Sequence, residues 1–332
     1  MLITLMALIG WEIYLRQTFY SKVTGLKMSY DDNEALWAYH RAMVYEPVDK
    51  SVVILGSSRI KYDLDIPTWE KLTGTHAIQL AVRGTDPRPM LEDLANDEKF
   101  KGRLLVDVTE GLFFYDDQIF DKRVDYYRNI TPTQRFSFQV DHFLESQFVF
   151  LDQRAFSWSA MLEQLHMPER DGVVVYPPFP VDATRCNFNR QNYFSSRMLK
   201  DTNIQNGIKA VWTFNAKHNL VPPVSGSKLD SILNAVKTDV DKIIGRGGQV
   251  VFLRTPSSGA YRARELKGYP RNLYWDRLLS YTGLKGIYFE DYPSLAHFVC
   301  PEWSHLAPDD AVAYTKNLVK ILREEKLLDL NP

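Results

Sequence analysis

The chain has 332 residues, 45% of them apolar and 24% charged, which is ample for one large α/β domain or for a domain with a sizeable insertion. Its 40 Lys and Arg balance 41 Asp and Glu, so there is no net field to attract nucleic acid, and Arg262-Ala-Arg264 reads as a solvated helix face. Two distant cysteines, Cys186 and Cys300, form no zinc or redox motif and neither demand nor exclude a disulfide; with no metal-ligand cluster, neither a metal nor a cofactor is expected.

Met1 to Trp11 is apolar without interruption, and only Glu12 breaks the run before Arg16. Trp11, Tyr14 and Tyr20 resemble an interfacial aromatic belt. The run is shorter than the roughly 20 apolar residues that span a bilayer. It also lacks the charged start and small-residue cleavage site of a signal peptide. The expectation is a membrane anchor over residues 1–20, an uncleaved signal anchor whose residues 1–16 form an apolar helix separate from the globular domain. A buried amphipathic or docking helix is the alternative.

Ser21 to Met28 reads as a linker, and Asp31-Asp-Asn-Glu34 supplies capping acids for a helix through Trp37 and Met43. Ser51 to Leu55 is an unbroken β-branched and apolar run, the mark of a buried parallel strand. A helix over Asp63 to Leu72 ends at Gly74, and His76 to Ala81 is a second strand. Pro87 to Asn96 is a helix with proline near its start, and Arg103 to Val108 is a third strand. From about Phe113 the alternation dissolves into an aromatic stretch with a helix expected at 139–165 and a Pro-rich turn at Tyr176 to Pro180. Such a length is no plain loop, so it reads as a mainly helical insertion covering or lining the substrate side of the sheet. Strands resume at Gly248 to Leu253 and Gly286 to Phe289, before a closing helix over Pro308 to Arg323. The alternation on both sides of the insertion predicts a three-layer, doubly wound α/β fold with about five parallel strands. The domain reading is 21–112 and 241–332 as two halves of one domain, interrupted by 113–240.

The chemistry centres on the turn that leaves the first strand, Gly56-Ser57-Ser58-Arg59. Ligands sit at the carboxyl ends of strands in open α/β sheets, and a serine just past such an end is exposed yet rigidly held. Serine needs a base within hydrogen-bond reach, and the base needs orienting. Cys300-Pro-Glu-Trp-Ser-His305 places an acid, Glu302, three residues before a histidine, so one short segment delivers both. Asp291 is a fallback acid. His40, His76, His142, His166, His218 and His297 have no comparable context and read as surface or core-edge residues. No nucleophile elbow of the Gly-x-Ser-x-Gly type, phosphate loop or dinucleotide fingerprint occurs. Arg254 follows a strand end before Thr255-Pro-Ser-Ser-Gly259, where it would bind an anionic sugar or serve a structural ion pair.

A strand-end Gly-x-Ser near one end and an acid-x-x-His near the other resembles the SGNH (GDSL-type) hydrolase family. More narrowly it is similar to the membrane-anchored envelope members found beside polysaccharide O-acetylation systems. The resemblance covers roughly residues 25–115 and 248–325. It implies Ser58 as nucleophile, because the family's Gly-Asp-Ser aligns with Gly56-Ser57-Ser58, with His305 as base and Glu302 in place of the usual Asp. It implies an oxyanion hole from the Ser58 and Gly84 backbone N–H groups. The family's third donor, an asparagine, is replaced by Thr109-Glu110-Gly111, leaving Thr109 or Arg59 to assist. The implied activity is serine-dependent O-acetyl transfer or ester hydrolysis on an envelope or exported polysaccharide, with the globular part extracytoplasmic and a membrane acyltransferase or export protein as partner. The contrasting expectation is a catalytically weak scaffold that binds polysaccharide or a membrane partner.

Overall fold

Five short strands, β1 (Ser51–Leu55), β2 (His76–Gln79), β3 (Arg103–Asp107), β6 (Gln249–Arg254) and β7 (Gly286–Tyr288), form one parallel sheet in the order β2-β1-β3-β6-β7. Two further strands, β4 (Thr184–Cys186) and β5 (Asn192–Phe194), make a separate antiparallel pair. In this computed structural model the described residues are 2–20, 29–116, 122–152, 162, 165, 172, 176–180, 183–218 and 221–330. The chain divides into two units. One is Met1–Leu36 with Asn129–Phe188 and Asn192–Leu220; the other is Trp37–Arg128 with Asn189–Gln191 and Val221–Pro332.

The sheet lies in the second unit. Successive strand residues point to opposite faces, and both faces are apolar. Val53, Leu55, Leu104, Val106 and Phe252 pack with Leu91 and Leu94 of the helix Arg88–Asn96, Leu233 and Val236 of Gly226–Gly245, and Leu278 of Trp275–Thr282. Val52, Ile54, Leu105, Val251 and Leu253 pack with Ile60, Trp69 and, from the helix Pro308–Glu324, Leu318 and Leu322. Each such side chain contributes roughly 1.5–3 kcal/mol when fully buried, so the two-sided cover explains why these strands read as continuous apolar runs. The order reverses between β1 and β3, the point where doubly wound sheets open a crevice at their carboxyl ends.

Several local expectations shift. The helix expected over Asp63 to Leu72 runs Ile66–Thr73, because Asp65 caps it by accepting the Thr68 N–H at 2.9 Å, and an unforeseen short helix, Ser58–Asp63, precedes it. The helix Gly226–Gly245 belongs with the sheet, so this half begins at Val221 rather than 241. Residues 113–116 and 122–128, expected in the insertion, also group with the sheet. At the β2 edge, Arg190 donates from Nη1 to the Gln79 carbonyl and from Nη2 to that of Ala81, and Gln191 accepts the Ile66 N–H.

The first unit contains the helices Leu2–Leu15, Pro132–Gln147 and Thr202–His218 with the β4–β5 pair. Pro132–Gln147 opens on a Thr131/Gln134 capping box and stops well before 165; residues 153–161 and the expected linker 21–28 lie outside the described residues. Asn33, rather than the neighbouring acids, caps the helix that starts at Glu34 by accepting the Ala35 N–H. The Leu2–Leu15 helix exposes apolar side chains around most of its surface, from Leu2 to Tyr14. It is not separate from the rest of its unit: the Glu12 carboxylate accepts the N–H groups of Val149 at 3.0 Å and Phe150 at 3.1 Å. Among the described residues no helix is long and apolar enough to cross a membrane.

Candidate active site

Gly56 ends β1. A Cβ there would stand 2.7 Å from Asp107 Cβ and 2.8 Å from Ile60 Cγ2, so glycine is what lets the ends of β1 and β3 approach. Ser57 turns its hydroxyl across to Thr109 Oγ1 at 2.7 Å instead of capping the helix it precedes. Ser58 opens that helix, and within residues 57–63 it alone is not fully buried. One reachable hydroxyl therefore sits on a rigid base.

His305 Nε2 lies 2.8 Å from Ser58 Oγ, and His305 Nδ1 lies 2.8 Å from Glu302 Oε1. A carboxylate only accepts, so Nδ1 carries the proton and Nε2 is left to accept the serine hydroxyl. Glu302 is fully buried, and its Oε1 also accepts the N–H groups of Ser304 at 3.1 Å and His305 at 2.6 Å. The loop closes this tightly because Trp303 takes φ +82°, a conformation costing a non-glycine residue about 1–3 kcal/mol. Outside contacts hold it there. Ser258 N–H donates to the Trp303 carbonyl at 2.9 Å, and the indole lies against Gly259, where a Cβ would come within 2.5 Å of the ring.

Gly84 sits exposed at φ +68° in the loop after β2. The Leu80 and Val82 N–H groups donate to the Ile54 and Gly56 carbonyls, carrying that loop beside the exit of β1. Asp86 pins the loop by accepting the Arg88 N–H at 2.9 Å.

Beside the serine lies a buried charge lattice. Arg254 grips both oxygens of Glu110, at 3.0 and 3.1 Å, and also bonds Glu265. Glu265 in turn takes Arg59 and the Ser257 hydroxyl. Burial alone would raise the Glu265 pKa, but the two guanidinium groups hold it at about 2. Burial has the upper hand at two other carboxyls: it lifts Asp107 to about 6 and Asp63 well above the usual range.

This lattice bears on the readings of Arg254, Arg59 and Glu110. Arg254 has no exposed surface and takes the ion-pair alternative rather than the sugar, and Arg59, almost as buried and paired with Glu265, is corrected from an oxyanion assistant to a structural ion pair. Thr109 is buried with its hydroxyl on Ser57, which removes it as a ready oxyanion donor. Glu110, whose charge would oppose an oxyanion, is turned away onto Arg254. Asp291 pairs with Arg271 and stands apart from His305's partner. Arg262 is no solvated helix residue either, being buried against Glu290 and the Tyr288 hydroxyl. The cysteines are both free thiols. Asp63, Glu265 and Asp107 went unforeseen, since their partners come from distant segments and no local spacing announces them.

Fold and site together define an α/β protein with a Ser–His–Glu hydrogen-bonded chain at the carboxyl edge of a parallel sheet. Compared with models of known families and with curated proteins, the chain matches none.

Proposed function

We propose that the protein is a serine-dependent O-acyl, principally acetyl, transferase or esterase acting on a cell-envelope or exported polysaccharide, in the manner of the SGNH hydrolases it resembles. The observation that carries this reading is the continuous chain Ser58–His305–Glu302, with both links at 2.8 Å. Ser58 Oγ attacks the acyl carbonyl as its proton passes to His305 Nε2, and Glu302 stabilises the imidazolium. The Ser58 and Gly84 N–H groups receive the oxyanion. Collapse breaks the ester bond, the departing alkoxide takes the proton from His305, and an acyl-serine remains. Water or a sugar hydroxyl then attacks the acyl-serine, with His305 as base. The exposed apolar helix Leu2–Leu15, with Trp11 stacked on Tyr14, supports anchorage at a membrane with the sheet domain extracytoplasmic, beside a membrane acyltransferase or export partner.

The test is turnover of a chromogenic acetate together with labelling by a fluorophosphonate. The wild type is expected to do both, and Ser58→Ala neither, with its melting temperature nearly unchanged. Equal turnover by Ser58→Ala would overturn the proposal. The reading as a weak polysaccharide-binding scaffold is favoured by one observation: Thr109 is committed to Ser57, so it does not replace the third oxyanion donor. The lack of one such donor costs other enzymes roughly 10²–10³ in rate. Absent turnover with retention on polysaccharide gels would favour that reading.

A further inference from the structure

The bonds Glu302 makes to Ser304 and His305 lie within one loop. They orient the imidazole relative to its own backbone, but they do not set its distance from a nucleophile some 250 residues away in sequence. That distance depends on what joins the loop to the helix Ser58–Asp63. Contacts besides the Ser58–His305 bond do so. Tyr62 lays its ring against the His305 imidazole, centroids 4.5 Å apart, and Arg59 Nε reaches Ser304 Oγ at a long 3.4 Å. The short bond is from the Leu306 N–H, one residue past the base, to Asp63 Oδ1 at 2.9 Å.

We propose that Asp63 is a positioning residue that sets the spacing of His305 from Ser58 by holding the Leu306 N–H, and that it does so as an uncharged carboxylic acid; this rests on the functional reading above. Asp63 is fully buried, and among the described residues its Oδ2 has no hydrogen-bond partner, which an ionised carboxylate so placed would not tolerate. Around it stand Asp107 at the end of β3, Glu302 and Cys300 in the base's loop and Tyr314 on the closing helix, and its own helix carries two cations, Arg59 and the buried Lys61. Burial and the two acids raise its pKa. A neutral acid offering one carbonyl oxygen is matched in shape and in that acceptor by asparagine, which carries an NH₂ where the acid carries its O–H, whereas alanine or leucine deletes the acceptor.

The experiment measures the fluorophosphonate labelling rate per folded molecule, with kcat and KM on the chromogenic acetate, for wild type, Asp63→Asn, Asp63→Ala and Asp63→Leu. Asp63→Asn is expected within about threefold of wild type. Asp63→Ala and Asp63→Leu are expected to lose about 10–100-fold in labelling and kcat with KM unchanged, as a displacement near 1 Å would cause. A role in folding alone would lower the melting temperature and leave the rate per folded molecule intact, and that result overturns the proposal. So does an Asp63→Asn rate as low as that of Asp63→Ala. If neither apolar variant folds, Asp63→Asn decides: retention supports the proposal and a loss beyond tenfold refutes it. A wild type that does not label at all refutes the functional reading itself.

Discussion

Replacing Glu302 separates the two tasks its carboxylate performs. In Glu302→Ala, three buried N–H groups, of Ser304, His305 and the imidazole, lose their common acceptor. Each costs about 1–3 kcal/mol when left unpaired, so the sum, about 3–9 kcal/mol, rivals the 5–15 kcal/mol that typically holds a protein folded. That variant is expected to lose the loop or the fold. Glu302→Gln differs, because all three donors converge on Oε1 and an amide oxygen there can receive them all. Turning the amide to face Nδ1 with its NH₂ would set donor against donor at two backbone N–H groups. The imidazole therefore keeps its tautomer, and what is lost is the negative charge beside the imidazolium. At about 1.5–3 kcal/mol for a charge-assisted bond, kcat should fall about 10–150-fold, well short of the roughly 10⁴ that accompanies a flipped tautomer in a serine protease triad. Steady-state turnover of the chromogenic acetate measures this, with thermal melting of both variants alongside. A 10⁴-fold loss in Glu302→Gln, or a Glu302→Ala protein as stable as wild type, would refute the reasoning.

Three further outcomes are expected. Gly56→Ala forces a Cβ against Asp107 and Ile60, and overpacking of this kind costs about 1–3 kcal/mol; an unchanged denaturation midpoint would count against the close approach of β1 and β3. Glu265→Gln leaves Arg59 and Arg254 short of a buried carboxylate and should destabilise by about 3–5 kcal/mol. Because the Glu265 pKa is depressed to about 2, its contribution is present above the ordinary glutamate value near 4.3 and vanishes as pH falls through 2, so the melting gap to wild type should narrow on acidification. Asp63 runs the other way: its raised pKa penalises the folded state once pH exceeds the ordinary aspartate value near 3.9, so Asp63→Asn should gain melting temperature over wild type as pH rises from 4 to 7. A gap independent of pH would show that Asp63 ionises normally.

The strands were legible because burial on both faces removes the need for polar alternation, as in Ser51–Leu55 and Gln249–Arg254. The pairing of Ser58 with Glu302 and His305 was legible because acid and base share six residues and a helix start. The helix Gly226–Gly245 was misplaced although its signal was there: Leu229, Ile232, Leu233, Val236, Val240 and Ile243 recur at helical spacing and are all buried. The β4–β5 pair offered no such signal, since Thr-Arg-Cys and Asn-Tyr-Phe are too short to show alternation. The Arg59–Glu265–Arg254–Glu110 lattice was illegible for a different reason. Its members come from four segments, and only the assembled sheet makes neighbours of them.

The arginine at the β2 edge has a consequence away from the chemistry. An outermost strand carries carbonyls with no strand beyond them, and such a row invites any passing extended chain to add itself. At this border Gln79 and Ala81 already have a partner, because the Arg190 guanidinium offers its two N–H arms where a sixth strand would have offered its backbone. A single side chain thus acts as a false neighbour, closing the sheet without lengthening it. Molecules concentrated together are thereby hindered from joining edge to edge at this border.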